Sequence, residues 1–164
     1  MRHRPAALAA TCLAVFSACA VPAAAPPSLP AASGEAVVTL ERTQCYGTCP
    51  AYTVAAFADG RVMFEGREHT ARPGAAEWRV APAVVAGLVA AAERAGHARA
   101  SEALAGAVCA TDNPAAITTV RTDAGTTQVA HDLGCRGFAG EAALVAFEVE
   151  IDRALGTAAS VGPR

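Results

Sequence analysis

Cys45-Tyr46-Gly47-Thr48-Cys49-Pro50-Ala51-Tyr52 stands between two runs, 37–42 and 52–57, that are enriched in β-branched and apolar residues. Two cysteines four apart, a glycine between them and a proline directly after the second describe a tight, cross-linkable loop rather than regular structure. The reading is therefore strand, loop, strand. In the first run Val38 and Leu40 share one face and Val37 and Thr39 the other, the period of two that a half-buried strand requires.

The same alternation continues downstream. Residues 52–57 and 61–65 flank Asp59-Gly60, the two-residue signal of a type I′ hairpin turn, because glycine takes positive φ without steric cost. Val62 and Phe64 point one way, and Ala76, Trp78 and Val80 alternate with Glu77 and Arg79 in a further half-buried strand. Pro82, at a first helical position, opens a segment where Val84, Val85, Leu88, Val89 and Ala92 recur at helical spacing and which Gly96 can close. A looser stretch carrying Cys109 follows, then a second hairpin, 117–122 and 126–133 around Asp123-Ala124-Gly125. In the last helix Leu144, Phe147, Ile151 and Leu155 mark the buried stripe, acids at 141, 148, 150 and 152 mark the wet side, and Gly156 supplies the stop. Hairpins without βαβ alternation predict an α+β fold, a two-layer antiparallel sheet in the order β-β-β-α-β-β-α with two helices packed on one face.

The chain has 164 residues, 53% hydrophobic and 17% charged, which suits one domain and an extension. Its thirteen basic residues, all arginines, face fifteen acids, so no basic field exists to attract nucleic acid. Arg2, His3 and Arg4 precede an apolar run at 6–18 that is too short to span a bilayer and reads as an export signal. Val15-Phe16-Ser17-Ala18-Cys19 resembles the lipobox of bacterial lipoproteins, in which small residues precede a cysteine that is lipidated and becomes the new N-terminus; Phe16 stands where leucine is usual. Ordinary cleavage after Ala23-Ala24-Ala25 is the competing reading.

The expected organisation is a signal peptide at 1–18, a palmitate-bearing Cys19 leading a Pro/Ala-rich tether at 19–34, one domain at 35–157 and a disordered tail at 158–164. The resemblance to bacterial lipoproteins implies, with Ala20 rather than aspartate after the cysteine, the periplasmic face of the outer membrane rather than the inner. Without residues 1–18 the charge is eleven arginines against fifteen acids, a net of −4. Such a domain has no electrostatic hold on anionic lipid, so attachment falls to the acyl chains, at ~0.8 kcal/mol per buried methylene.

Glu41-Arg42-Thr43, Cys45-Tyr46-Gly47-Thr48-Cys49-Pro50, Tyr52, Asp59-Gly60, Cys109 with Asp112 and Pro114, and Gly134-Cys135 resemble a bacterial exported family described as domain of unknown function 6438, over roughly residues 36–157. The resemblance implies the domain limits and no particular chemistry.

Once Cys12 leaves with the signal and Cys19 carries lipid, Cys45, Cys49, Cys109 and Cys135 remain. An even number in an oxidising compartment reads as two disulfides, with three connectivities open. Cys109 and Cys135 flank the second hairpin, so its folding brings them together and favours that bridge beside a local one from Cys45 to Cys49. The competing pattern ties each cysteine of the first loop to one in the second region.

The enzyme alternative is thiol-disulfide chemistry at Cys45 and Cys49. Oxidoreductases place Cys-x-x-Cys at a helix start, where the macrodipole activates the first thiol. Here three residues intervene and no helix follows. Four thiolates could hold zinc, or Cys49 and His131 copper, yet only one short knuckle is present and oxidation competes with ligation; no metal or cofactor is expected. His131 alternates in register with Val129 and Leu133 and reads as a hydrogen-bonded residue of the inner sheet face, whereas His69 and His97 read as surface residues. The chain has no Gly-x-Ser-x-Gly elbow, His-Glu-x-x-His pair or glycine-rich phosphate cradle. Asp112 and Asp132 are candidate acids only through nearness to Cys109 and His131, and Asp112 reads better as a turn-former beside Asn113-Pro114. The expectation is a non-enzymatic binding, scaffolding or inhibitory module of the cell envelope, acting on another envelope protein. Its candidate binding loop is Tyr46, Gly47, Thr48, Pro50 and Tyr52, the two tyrosines also suiting a packing role.

Overall fold

The computed structural model describes residues 34–163. The expected signal peptide, Cys19 and the tether up to residue 33 lie outside the described residues. Strands β1 (Val38–Arg42), β2 (Tyr52–Ala56), β3 (Arg61–Gly66) and β4 (Gly74–Arg79) precede helices α1 (Pro82–Arg94) and α2 (His97–Leu104). Then come β5 (Val108–Cys109), β6 (Ala115–Thr122), β7 (Gly125–Asp132), β8 (Cys135–Arg136), α3 (Glu141–Leu155) and α4 (Ala158–Val161). Six strands form one antiparallel sheet in the order β4-β3-β2-β1-β6-β7, and β5 pairs with β8 in a small second sheet. The α+β two-layer architecture is as expected. The element order is richer: each of the four segments read as strands ahead of the first helix forms one, where the expected order counted three, and the stretch expected to be loose contains α2 and β5.

Unbroken register across the sheet resolves its inner face into three rows. One is Trp78, Val62, Ala56, Val38, Val120 and Thr127; the next is Ala76, Phe64, Val54, Leu40, Thr118 and Val129. Their apolar residues from β4 to β6 meet Val85, Leu88, Val89 and Ala92 of α1 and Phe147, Ile151 and Leu155 of α3 in one core, while Val129 of β7 joins Ala100, Phe138 and Leu144 in a second cluster. Each fully buried aliphatic or aromatic side chain here stabilises the fold by ~1.5–3 kcal/mol. The third row, Gly74, Gly66, Tyr52, Arg42, Ala116 and His131, is polar in its middle and at its β7 end.

Five local expectations change. The Asp59-Gly60 hairpin forms, but only Gly60 of the pair has positive φ, at 83°. Phe57 N donates to Arg61 O at 2.9 Å and Gly60 N donates to Phe57 O at 2.9 Å, so the loop spans three residues and Gly60 takes the left-handed position. No other residue type fits there, because a Cβ would stand 2.2 Å from Val80 O. Glu148 and Asp152, read as wet, are 1% and 9% exposed. They follow Leu144 at intervals of four and so lie in the buried column of α3, not opposite it. His97, read as a surface residue, is 2% exposed, with Nε2 2.8 Å from Thr118 Oγ1; burial holds its pKa below the usual histidine value, against the bond with Thr118. His69 is exposed, as expected.

The fifth change concerns the C-terminal end. Residues 158–161, expected within a disordered tail, form α4, and Val161 enters the core. Ala71 N donates to Val161 O and Arg72 N to Ser160 O, so the segment before β4 holds this turn in place.

Candidate functional site

The chain leaves β1 after Arg42 and returns at Tyr52, two residues that face each other across the β1-β2 ladder. Segments 67–73, 110–114 and 133–134 emerge from the same end of the sheet, because β3 and β7 finish there and β4 and β6 start there. Both disulfides lie at this end. Cys45 is bridged to Cys49, and Cys109 on β5 is bridged to Cys135 on β8, their Cα atoms 3.9 Å apart in facing positions. This is the local-plus-hairpin connectivity.

The first loop is braced on both flanks. Thr43 N donates to Ala115 O at 3.0 Å, and Ala115 N donates back to Thr43 Oγ1 at 2.7 Å. On the other side Ala51 N donates to Glu68 O and Arg67 N to Ala51 O, at 2.8 and 2.9 Å. Between these anchors the Cys45–Cys49 bridge closes the turn, and Tyr46 stands 97% exposed with Gly47 and Thr48 exposed beside it. Pro50 is half-buried. The second braced segment presents Val108, 82% exposed, one residue before Cys109. The two most exposed large apolar side chains among the described residues thus sit on the two disulfide-tied segments, at one end of the molecule.

Tyr52 does not belong to that surface. It is fully buried at the start of β2, stacked on Phe64 at 5.4 Å between ring centroids. Its hydroxyl donates to Asp152 Oδ1 at 2.6 Å. The same oxygen accepts from Thr157 Oγ1 at 2.8 Å, and Asp152 Oδ2 accepts from Arg42 Nη2 at 3.1 Å. One turn earlier on α3, Glu148 Oε1 lies 2.7 Å from His131 Nδ1, with Oε2 3.8 Å from Arg42 Nη1. Two carboxylates of α3 therefore close over the row His131, Ala116, Arg42 and Tyr52.

The electrostatics follow from burial. Glu148 is pushed above its ordinary value by burial, while the hydrogen bond and charge of His131 and the charge of Arg42 draw it back. For Arg42 burial disfavours the charged form, but Asp152 foremost, then Tyr52 and Glu148, outweigh it and hold the guanidinium more firmly protonated than usual. Sequence reasoning placed His131 on the inner face with a hydrogen bond, where it is, and missed Arg42, Glu148 and Asp152. The available signal was the spacing 144, 148, 152.

The remaining candidates take structural roles. Asp112 has positive φ, 65°, and accepts from Thr111 Oγ1, as a turn-former does. Asp132 accepts from Gly134 N at 2.8 Å. The four sulfurs are joined in pairs, and the first bridge leads into a strand rather than a helix, so no macrodipole acts on Cys45 or Cys49.

A family model described as Domain of unknown function (DUF6438) matches residues 36–155. The chain belongs to this family. The DUF6438 match runs from the approach to β1 to the last residue of α3 and so takes in both braced segments and the buried carboxylates. No curated protein and no solved structure matches the chain.

Proposed function

We propose that this DUF6438 protein is a lipid-anchored, non-enzymatic binding module of the bacterial cell envelope that engages another envelope protein through the Tyr46 loop, as a scaffold or an inhibitor. The observation that carries the reading is Tyr46 itself: an aromatic side chain 97% exposed on a loop closed by a disulfide and hydrogen-bonded on both flanks. Exposed aromatic residues held rigidly are the usual anchors of protein interfaces, because little conformational entropy is lost when they are buried.

Two further features support it. Residues 43–51 contain no charged side chain, which suits a neutral protein surface rather than an anionic lipid or polymer. The described chain also enters β1 at the end of the strand opposite the loop. Four strand steps of ~3.4 Å then separate Val38 from Arg42, and a domain tethered through its N-terminus points Tyr46 away from the membrane. Among the described residues no helix is long and apolar enough to cross a membrane. Attachment in this reading falls to the lipid on Cys19, and Cys19→Ser releases the protein while abolishing radioactive palmitate labelling; unchanged membrane retention defeats the anchor.

In-cell cross-linking followed by co-purification tests the binding loop. Tyr46→Ser abolishes capture of the partner, whereas Glu102→Ala, at an exposed position of α2, leaves it intact. Equal capture by both variants refutes the assignment.

A further inference from the structure

We propose that Asp152 is the positioning residue of the Tyr46 loop: a single carboxylate of α3 ties both stem residues of the loop, Arg42 and Tyr52, to the helical layer. The inference rests on the reading of that loop as the binding element and adds what fixes its direction. Arg42 is the last residue of β1 and Tyr52 the first of β2, and they are directly paired. Every displacement of the loop relative to the body must pass through this pair or through the flanking contacts of Thr43 and Ala51.

The carboxylate divides its oxygens between the two stems. Oδ1 accepts from Tyr52 at 2.6 Å and Oδ2 from Arg42 at 3.1 Å. Thr157 adds a third donor, to Oδ1, and this third bond holds the carboxylate to the end of α3 rather than to the loop. Glu148, one turn away, faces His131 and lies at 3.8 Å from Arg42, so the closer acceptor for the guanidinium is Asp152. A charge-assisted bond that is buried and geometrically fixed resists opening more strongly than a surface ion pair. The arrangement makes α3 the reference frame against which Tyr46 is aimed.

The two disulfides supply an internal measure of this role. Reduction by dithiothreitol converts each bridge to two thiols, and its rate reports how readily the surrounding chain yields access to sulfur. In Asp152→Asn and Tyr52→Phe the Cys45–Cys49 bridge is reduced about tenfold faster than in the wild type, while the Cys109–Cys135 bridge keeps its rate. Tyr52→Phe retains the ring on Phe64 and removes only the hydroxyl, so it decides the matter if Asp152→Asn does not fold. Thr157→Val removes the third donor, which ties the carboxylate to its own helix, and accelerates reduction of the Cys45–Cys49 bridge less than Tyr52→Phe does. Equal acceleration of both bridges, no acceleration of either, or an effect of Thr157→Val as large as that of Tyr52→Phe overturns the proposal. These rates need no partner, so a failure of Tyr46 to capture one would count against the binding reading alone.

Discussion

Removing the bridges separately provides a quantitative test of how the two braced segments contribute to the fold. Cys109–Cys135 spans 26 residues and closes across the β6-β7 hairpin, whereas Cys45–Cys49 spans 4 within one turn. Constraint of the unfolded chain then gives ~3.5 kcal/mol for the longer bridge and ~1.9 kcal/mol for the shorter. The native hairpin is already held by eight register pairs from Ala115↔Asp132 to Thr122↔Gly125, so the folded state changes little when the bridge goes. The paired alanine variants, Cys109→Ala with Cys135→Ala and Cys45→Ala with Cys49→Ala, would be unfolded in urea and followed by the fluorescence of Trp78. With a urea dependence of about 1.5–2 kcal/mol per M for a domain of this size, the midpoints fall by about 2 M and about 1 M. A local-bridge variant that loses as much as the hairpin variant, or a hairpin loss below about 1 kcal/mol, refutes the reasoning.

Two further outcomes follow from the buried groups. Because Glu148 has a folded-state pKa above its ordinary value of 4.5, the stabilisation from its proton is complete below that value and is lost as pH rises through the raised one. The unfolding free energy of the wild type, taken from urea titrations, therefore carries a downward contribution above pH 4.5, by up to about 1.4 kcal/mol per pH unit, that Glu148→Gln lacks; parallel profiles would contradict it. Deleting residues 158–164 removes buried Val161 and the carbonyls that accept from Ala71 and Arg72. It should cost about 2–4 kcal/mol in chemical denaturation, where a disordered tail would cost nothing.

Much of the architecture was legible because strand period and glycine carry local information. Val38 and Leu40, Val62 and Phe64, and Ala76 and Trp78 all face inward as their alternation requires, and Gly60 marks its hairpin although the turn differs in length. The site was less legible because its partners are remote. Arg42 and Asp152 are separated by 110 positions, and a charged residue on a helix reads as solvated until the opposing charge is brought to it by the sheet. Tyr46 and Tyr52 show both sides of this. Tyr52 shares the period of Val54 and Ala56, which points it into the core, while Tyr46 has no such neighbours and stands in water. For α2 the sequence 97–104 holds too few apolar residues to announce a helix, and His97 is buried by partners remote in sequence, Thr118 on β6 and the ring of Phe147 on α3.

Cys45 and Cys49 form a permanent brace beneath Tyr46. Protein isolated from its native cells, unfolded in the presence of an alkylating reagent before any reductant is added, should carry no label at Cys45, Cys49, Cys109 or Cys135. A reproducible fraction labelled at Cys45 and Cys49 but not at Cys109 and Cys135 would contradict it and assign the loop to thiol-disulfide exchange.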